Sequence, residues 1–394
     1  MLSIPKGFKF SCVNSGLRYK NRHDLTLILS DTPTVGAGVF TKNKFQAAPV
    51  TVCKETLKNS TSVRGALINA GQANACTGEE GITDCRKTLE LVAKGLNIKP
   101  SELLPASTGV IGPRFDMDKW ELAAPRLVES VGEADPVQAA KAIMTTDKFP
   151  KLAWESVEAD NGTAKILGMC KGAGMICPDM ATLLGFIICD AEVDPVWWQE
   201  AVKRCIDKSF NCITVDGDTS TNDTVLAFAN GASDFKADTT ETREALEAAL
   251  LDVCQSLSYM IIQDAEGGTK VMSLNVLGAA SDNDANLMAR AIGNSPLVKT
   301  ALFGEDPNWG RIVAAAGRSG AEFNPDNLTL HFGKITVFEK GKPVEGDMDA
   351  LLEPIMRKQD IEVIITLGDG DGKASLLASD FSKEYIAINA DYRS

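Results

Sequence analysis

Strand-like and helix-like segments recur on both sides of residue 182 with no proline-rich linker between them. That continuity constrains the chain more than any other feature, because it argues against two independent bodies joined by a tether. Residues 25–29, 35–40, 50–53 and 66–69 are short apolar and β-branched runs separated by polar or glycine turns, as expected of an antiparallel or mixed sheet. Spacing near 3.6 predicts helices over 83–96, 118–131, 136–145, 195–209 and 240–262. Asp118 and Asp135 are placed to cap the second and third, since a carboxylate accepts the unpaired N–H groups of a first turn. Residues 328–337 and a partner across Lys340-Gly-Lys342 read as a hairpin, and 361–367 as a strand. This order fits an α+β protein in which helices cover stacked sheets.

Composition narrows the partners. A 394-residue chain with 44% hydrophobic residues can bury a large core. Its formal net charge is −13 and no cluster of five or more Lys or Arg occurs, so nucleic acid and anionic membranes are not expected as partners. No run approaches the length of apolar sequence that spans a bilayer. Ten cysteines are scattered without a C-x-x-C pair, which reads as free thiols in a reducing compartment. The first residues lack a secretory or transit pattern, and a cytoplasmic location is expected.

The chemistry concentrates at Lys171-Gly-Ala-Gly-Met-Ile-Cys-Pro-Asp-Met-Ala181-Thr182, a glycine-rich turn running into a small residue, a threonine and an apolar segment. A hydroxyl after a small residue on a constrained turn can attack the preceding carbonyl. Hydrolysis of the resulting ester would leave Thr182 with a free α-amine. That amine has an ordinary pKa of about 7.7–8.0 and can serve as the base a threonine otherwise lacks. Local chemistry also admits a plain helix N-cap or a buried β-branched residue at this position.

This segment closely resembles the self-cleavage motif of the ornithine acetyltransferases, or glutamate N-acetyltransferases, of arginine biosynthesis. The resemblance runs nearly the whole length through words such as Asn74-Ala-Cys-Thr-Gly78, Ser107-Thr-Gly-Val-Ile-Gly112, Ile143-Met-Thr-Thr-Asp147, Ile213-Thr-Val-Asp-Gly-Asp-Thr-Ser-Thr-Asn-Asp223 and Asp306-Pro-Asn-Trp-Gly-Arg311. The turn departs from the family pattern at Ala173, Cys177 and Asp179. The resemblance implies a layered α/β/β/α sandwich of the self-cleaving N-terminal-nucleophile type. Cleavage between Ala181 and Thr182 would give pieces 1–181 and 182–394 of one intertwined catalytic unit, assembled as two N-terminal plus two C-terminal chains.

The same resemblance implies roles for single residues. Thr182 would be the nucleophile, and Thr108 with Gly109 the oxyanion hole, a role that a hydroxyl and a close backbone N–H can fill. Thr145, Lys171, Glu266, Asn389 and Ser394 would contact substrate. Lys171 would hold a substrate carboxylate or tune the Thr182 amine, and Glu266 would receive a substrate ammonium. The motif leaves open whether Thr145 or Thr146 makes its contact. The expected reaction moves an acetyl group from N-acetylornithine to glutamate, with acetyl-CoA left open as another donor. The alternatives are a related N-terminal-nucleophile amidohydrolase or aminopeptidase, and a non-catalytic amino-acid-binding relative. His23 and His331 sit in no nucleophile motif, the aspartate-rich loops at 216 and 369 fail the calcium-loop pattern, and no metal or nucleotide cofactor is expected.

Overall fold

The computed structural model describes residues 2–160, 162–177 and 183–391. The described residues form two compact units, one drawn from 2–211 and 218–261, the other from 212–217 and 262–391. Each is a mixed sheet with helices, so the chain is α+β.

The strands of the first unit are β1 (Phe8–Val13), β2 (Leu25–Phe40), β3 (Ser62–Gln72), β4 (Leu103–Val110), β5 (Lys151–Ala159), β6 (Gly162–Lys171), β7 (Leu184–Cys189) and, after β8 (Ile213–Thr214) of the second unit, β9 (Thr224–Ala229). Their order across the sheet is β4-β3-β2-β9-β7-β6-β5, with β1 also on β2. Both faces of β2 are buried. Leu25, Leu27 and Leu29 pack with apolar residues of helices Gly78–Leu96 and Met117–Glu129. Ile28, on the opposite side of the pleat, joins Phe186, Leu226 and Phe228. The period-2 pattern at 25–29 and 35–40 belongs to one strand, with a register shift between Leu29 and Thr34.

Residues 50–53, expected as a strand, lie instead in helix Ala48–Asn59. Pro49 stands in its first turn, where no N–H partner is lost, and Val50, Val52 and Cys53 are buried; packing overrides the β-propensity of the local run. The cap of helix Met117–Glu129 is Asp116, not Asp118, which sits in its first turn. Asp135 caps helix Pro136–Ala142 as expected, in a reciprocal box with Gln138.

Helix Thr240–Gln263 is long and apolar enough to cross a membrane by length and composition alone. Here Leu246, Leu250, Val253, Leu257 and Ile261 are buried in the first unit. A Cβ on Gly168 of β6 would fall 2.7 Å from both Leu257 and Val253, so this glycine lets the helix sit directly on the sheet.

The second unit orders its strands β13-β12-β11-β14-β10-β15-β8, with β10 (Val271–Ala279), β11 (Thr329–Phe332), β12 (Ile335–Glu339), β13 (Lys342–Pro343), β14 (Asp360–Thr366) and β15 (Gly372–Ser379). Leu274, Val276, Val363 and Ile365 meet Met288 and Ile292 of helix Asp282–Gly293 in its core. The segment expected as one strand at 328–337 is itself a hairpin, turning at Gly333 and Lys334. Gly333 takes the left-handed conformation there, φ 55°, which the turn requires. His331 shares a hydrogen bond with Thr336 across this hairpin at 3.0 Å, a structural role. All ten cysteines are free. Most are buried, and burial pushes the Cys85, Cys189 and Cys205 thiols up to about 12, where they are unreactive.

Candidate active site

Strands β3 and β4 run parallel, with Ala70 opposite Thr108 and Gly71 opposite Gly109. Gly109 has φ 132°, and a Cβ on it would lie 2.2 Å from the Gly71 carbonyl carbon. Glycine here is a requirement of the close backbone approach. Thr108, half-buried beside it, receives a hydrogen bond from the Lys171 ammonium at 3.4 Å. Lys171 is the last residue of β6 and is buried; it pairs in register with Leu184, the first residue of β7.

Behind Lys171 lies a buried ion cluster. Asp147 Oδ1 accepts the Lys151 ammonium at 2.7 Å and the Gly172 N–H at 2.7 Å, while Oδ2 accepts the Thr145 N–H at 2.9 Å. Both partners of the Asp147–Lys151 pair are fully buried. Burial by itself would raise the Asp147 carboxyl, but the Lys171 and Lys151 charges and its hydrogen bonds outweigh burial and bring it down to about 2. Asp147 thus joins the Thr145 segment to the residue that follows Lys171.

A second buried network holds the Thr108 strand. Asn222 Nδ2 donates to the carbonyls of Ala73 at 2.6 Å and Ser107 at 2.8 Å, and its Oδ1 accepts from Thr221. Ser107 donates to Asn69 Oδ1 at 2.6 Å. Three residues before Asn222, Thr219 donates to the Cys177 carbonyl at 3.0 Å. Met175, just upstream, holds φ 56°, a left-handed conformation uncommon outside glycine. The 218–224 stretch therefore grips both the turn after Lys171 and the strand that carries Thr108.

In the second unit, Asn389 on helix Lys383–Asp391 donates to Glu266 Oε2 at 2.8 Å, and Glu266 is buried. Gly267, φ 66°, would place a Cβ 2.4 Å from the Tyr385 N, so glycine lets this helix dock against the Glu266 loop.

Of the residues singled out from sequence, the structure brings Thr108, Gly109, Lys171 and the Thr145 backbone into one neighbourhood of the first unit, and Glu266 and Asn389 into contact in the second. Ala181, Thr182 and Ser394 lie outside the described residues. Sequence reasoning missed Asp147, Thr219 and Asn222 as site residues. All three stood in words that carried the family resemblance, but no short-range pattern marks a carboxylate or amide that becomes buried against residues far along the chain. Among the described residues no group of three or more His, Cys, Asp or Glu is placed to hold a metal.

The site thus consists of a buried charge cluster beside a threonine near the end of a strand, on an α+β scaffold. The ArgJ family model matches residues 9–394. An arginine biosynthesis bifunctional protein ArgJ of Nitratidesulfovibrio vulgaris is 51% identical over 394 residues, all of both chains. Its counterpart in Geobacter sulfurreducens is 46% identical, over 98% of this chain and 99% of that one. A crystal structure of the Bacillus halodurans protein of the same name covers 52% of this chain and 96% of that chain at 33% identity, with a TM-score of 0.48. The chain belongs to the ArgJ family.

Proposed function

We propose that this chain is an acetyltransferase of arginine biosynthesis that cleaves itself before Thr182 and carries the acetyl group on that threonine. The observation that carries the reading is the Lys171 ammonium on the Thr108 hydroxyl, beside Gly109, at the start of the turn that leads to residue 182. In this mechanism Thr182 Oγ attacks the acetyl carbonyl of N-acetylornithine, and its α-amine takes the proton. Thr108 and Gly109 stabilise the oxyanion, each such donor contributing about 3–4 kcal/mol. Ornithine leaves, glutamate enters the same pocket, and N-acetylglutamate departs. Lys171 receives the substrate carboxylate; Thr145, Glu266, Asn389 and Ser394 complete the binding groups.

The sheet order supports two pieces that stay together after cleavage. Strands β7 and β9, from the piece beginning at residue 182, lie between β2 and β6 of the other piece. Separating them would break ladders on both sides. The left-handed Met175 supports a strained turn ahead of the scissile bond, since such a residue costs of order 1–3 kcal/mol.

The test is the intact mass of the denatured protein with N-terminal sequencing, followed by an acetyl-transfer assay. Two chains summing to 42.1 kDa plus one water, the second beginning Thr-Leu-Leu-Gly, together with acetyl transfer from N-acetylornithine to glutamate, are expected. A single uncleaved chain without transfer would reject the reading. Release of free acetate without transfer to glutamate would favour an amidohydrolase. The same assay with acetyl-CoA as donor shows whether a second activity is present.

A further inference from the structure

We infer that Asp147 is a positioning residue for acetyl transfer: its buried carboxylate, fastened to Gly172 and Thr145, holds the Lys171 ammonium against the Thr108 hydroxyl. The inference rests on the acetyltransferase reading and assigns a role within it to a residue that touches none of the reacting atoms.

Asp147 and Lys151 form a fully buried pair at 2.7 Å. A structural ion pair needs one lysine. Lys171, itself buried, brings a second positive charge, and its field is the largest of those favouring the ionised Asp147. Taking an ammonium out of water costs several kcal/mol unless an anion offsets it. Asp147 supplies that offset for Lys171 while its direct bond goes to Lys151.

Geometry adds a second constraint. Asp147 Oδ1 also accepts the Gly172 N–H at 2.7 Å, so the carboxylate fixes the backbone immediately after Lys171. Its other oxygen fixes the Thr145 N–H. One side chain therefore sets where β6 ends, where the Lys171 side chain begins and where the Thr145 segment lies. The consequence for chemistry runs through Thr108. Because Lys171 donates to Thr108 Oγ1, the threonine's own proton is directed elsewhere, and an ammonium behind the oxygen strengthens the O–H as a donor. Such a donor aimed at the developing oxyanion acts in the transition state more than on bound substrate. Loosening Lys171, which in this reading also receives the substrate carboxylate, should then lower kcat by a larger factor than it raises KM.

The experiment compares wild type, K151M, D147N and D147N/K151M, with rates divided by the number of sites that accept an acetyl group, counted by mass spectrometry. This normalisation lets any folded fraction answer, and the double variant removes both members of the buried pair together, the better tolerated change. The expected result is K151M near wild-type kcat, and D147N and D147N/K151M lowered on the order of 100-fold in kcat per acetylated site, with a much smaller rise in KM for N-acetylornithine. An equal loss in K151M and the double variant would mean that the buried pair as a whole, and not the hold of Asp147 on the Lys171 end of the strand, supports the site, and would overturn the role of Asp147. So would wild-type kcat in either Asp147 variant. A wild-type chain that transfers no acetyl group would instead overturn the acetyltransferase reading itself.

Discussion

Gly109 and Gly71 face each other on adjacent parallel strands so closely that a single methyl group on Gly109 would fall within 2.2 Å of the Gly71 carbonyl carbon. The approach fixes the backbone next to Thr108. Gly109→Ala must relieve that clash and adopt φ 132°, at a cost on the order of 3 kcal/mol. Denaturant unfolding of the variant checks it, and stability equal to wild type would contradict the geometry.

Asn222→Ala should be costly for a different reason. It leaves the Ala73 and Ser107 carbonyls without their donor in a buried setting, a loss of about 2–4 kcal/mol in unfolding free energy. Because Ser107 precedes Thr108, the remaining folded protein should also transfer acetyl groups more slowly. Replacement by aspartate should be worse than alanine, since a carboxylate would face two carbonyl oxygens.

Thr219→Val keeps the shape of the side chain and removes its donation to the Cys177 carbonyl. Processing of freshly made precursor should slow by about fivefold while the fold is retained, the loss of one hydrogen bond of roughly 1 kcal/mol at the turn. A time course of chain separation on denaturing gels measures it, with Thr182→Ala as the control that remains a single chain.

The Asp147 carboxyl, held at about 2 in the fold, lies below the ordinary value of about 3.9 that it regains on unfolding. A depressed carboxyl contributes stability above the unfolded value and loses it as pH falls through the folded one. Wild type should therefore lose on the order of 2 kcal/mol relative to Asp147→Asn between about pH 5 and about pH 2. Unfolding curves of both proteins at each pH test the sign as well as the size.

What the sequence determined by itself was local or carried by long matching words. The helices expected at 83–96, 195–209 and 240–262 and the strands expected at 25–29, 35–40 and 361–367 were legible in the periodicity to within a few residues, because an amphipathic stripe is written within a few turns or a few residues, whereas the joining of 25–29 and 35–40 into one strand was not. The words around Thr108, Thr145, Lys171 and Thr182 identified the family. Residues 50–53 failed as a strand because their valines are read locally but buried globally, on a helix.

Tertiary structure alone decided the partners. Asp147 reaches Gly172 across 25 positions of sequence, and Asn222 reaches Ser107 across 115. Whether a carboxylate is solvated or locked onto one lysine within the field of another depends on which distant strands close over it. Burial and charge pairing are properties of that closure, and no short window of residues contains them.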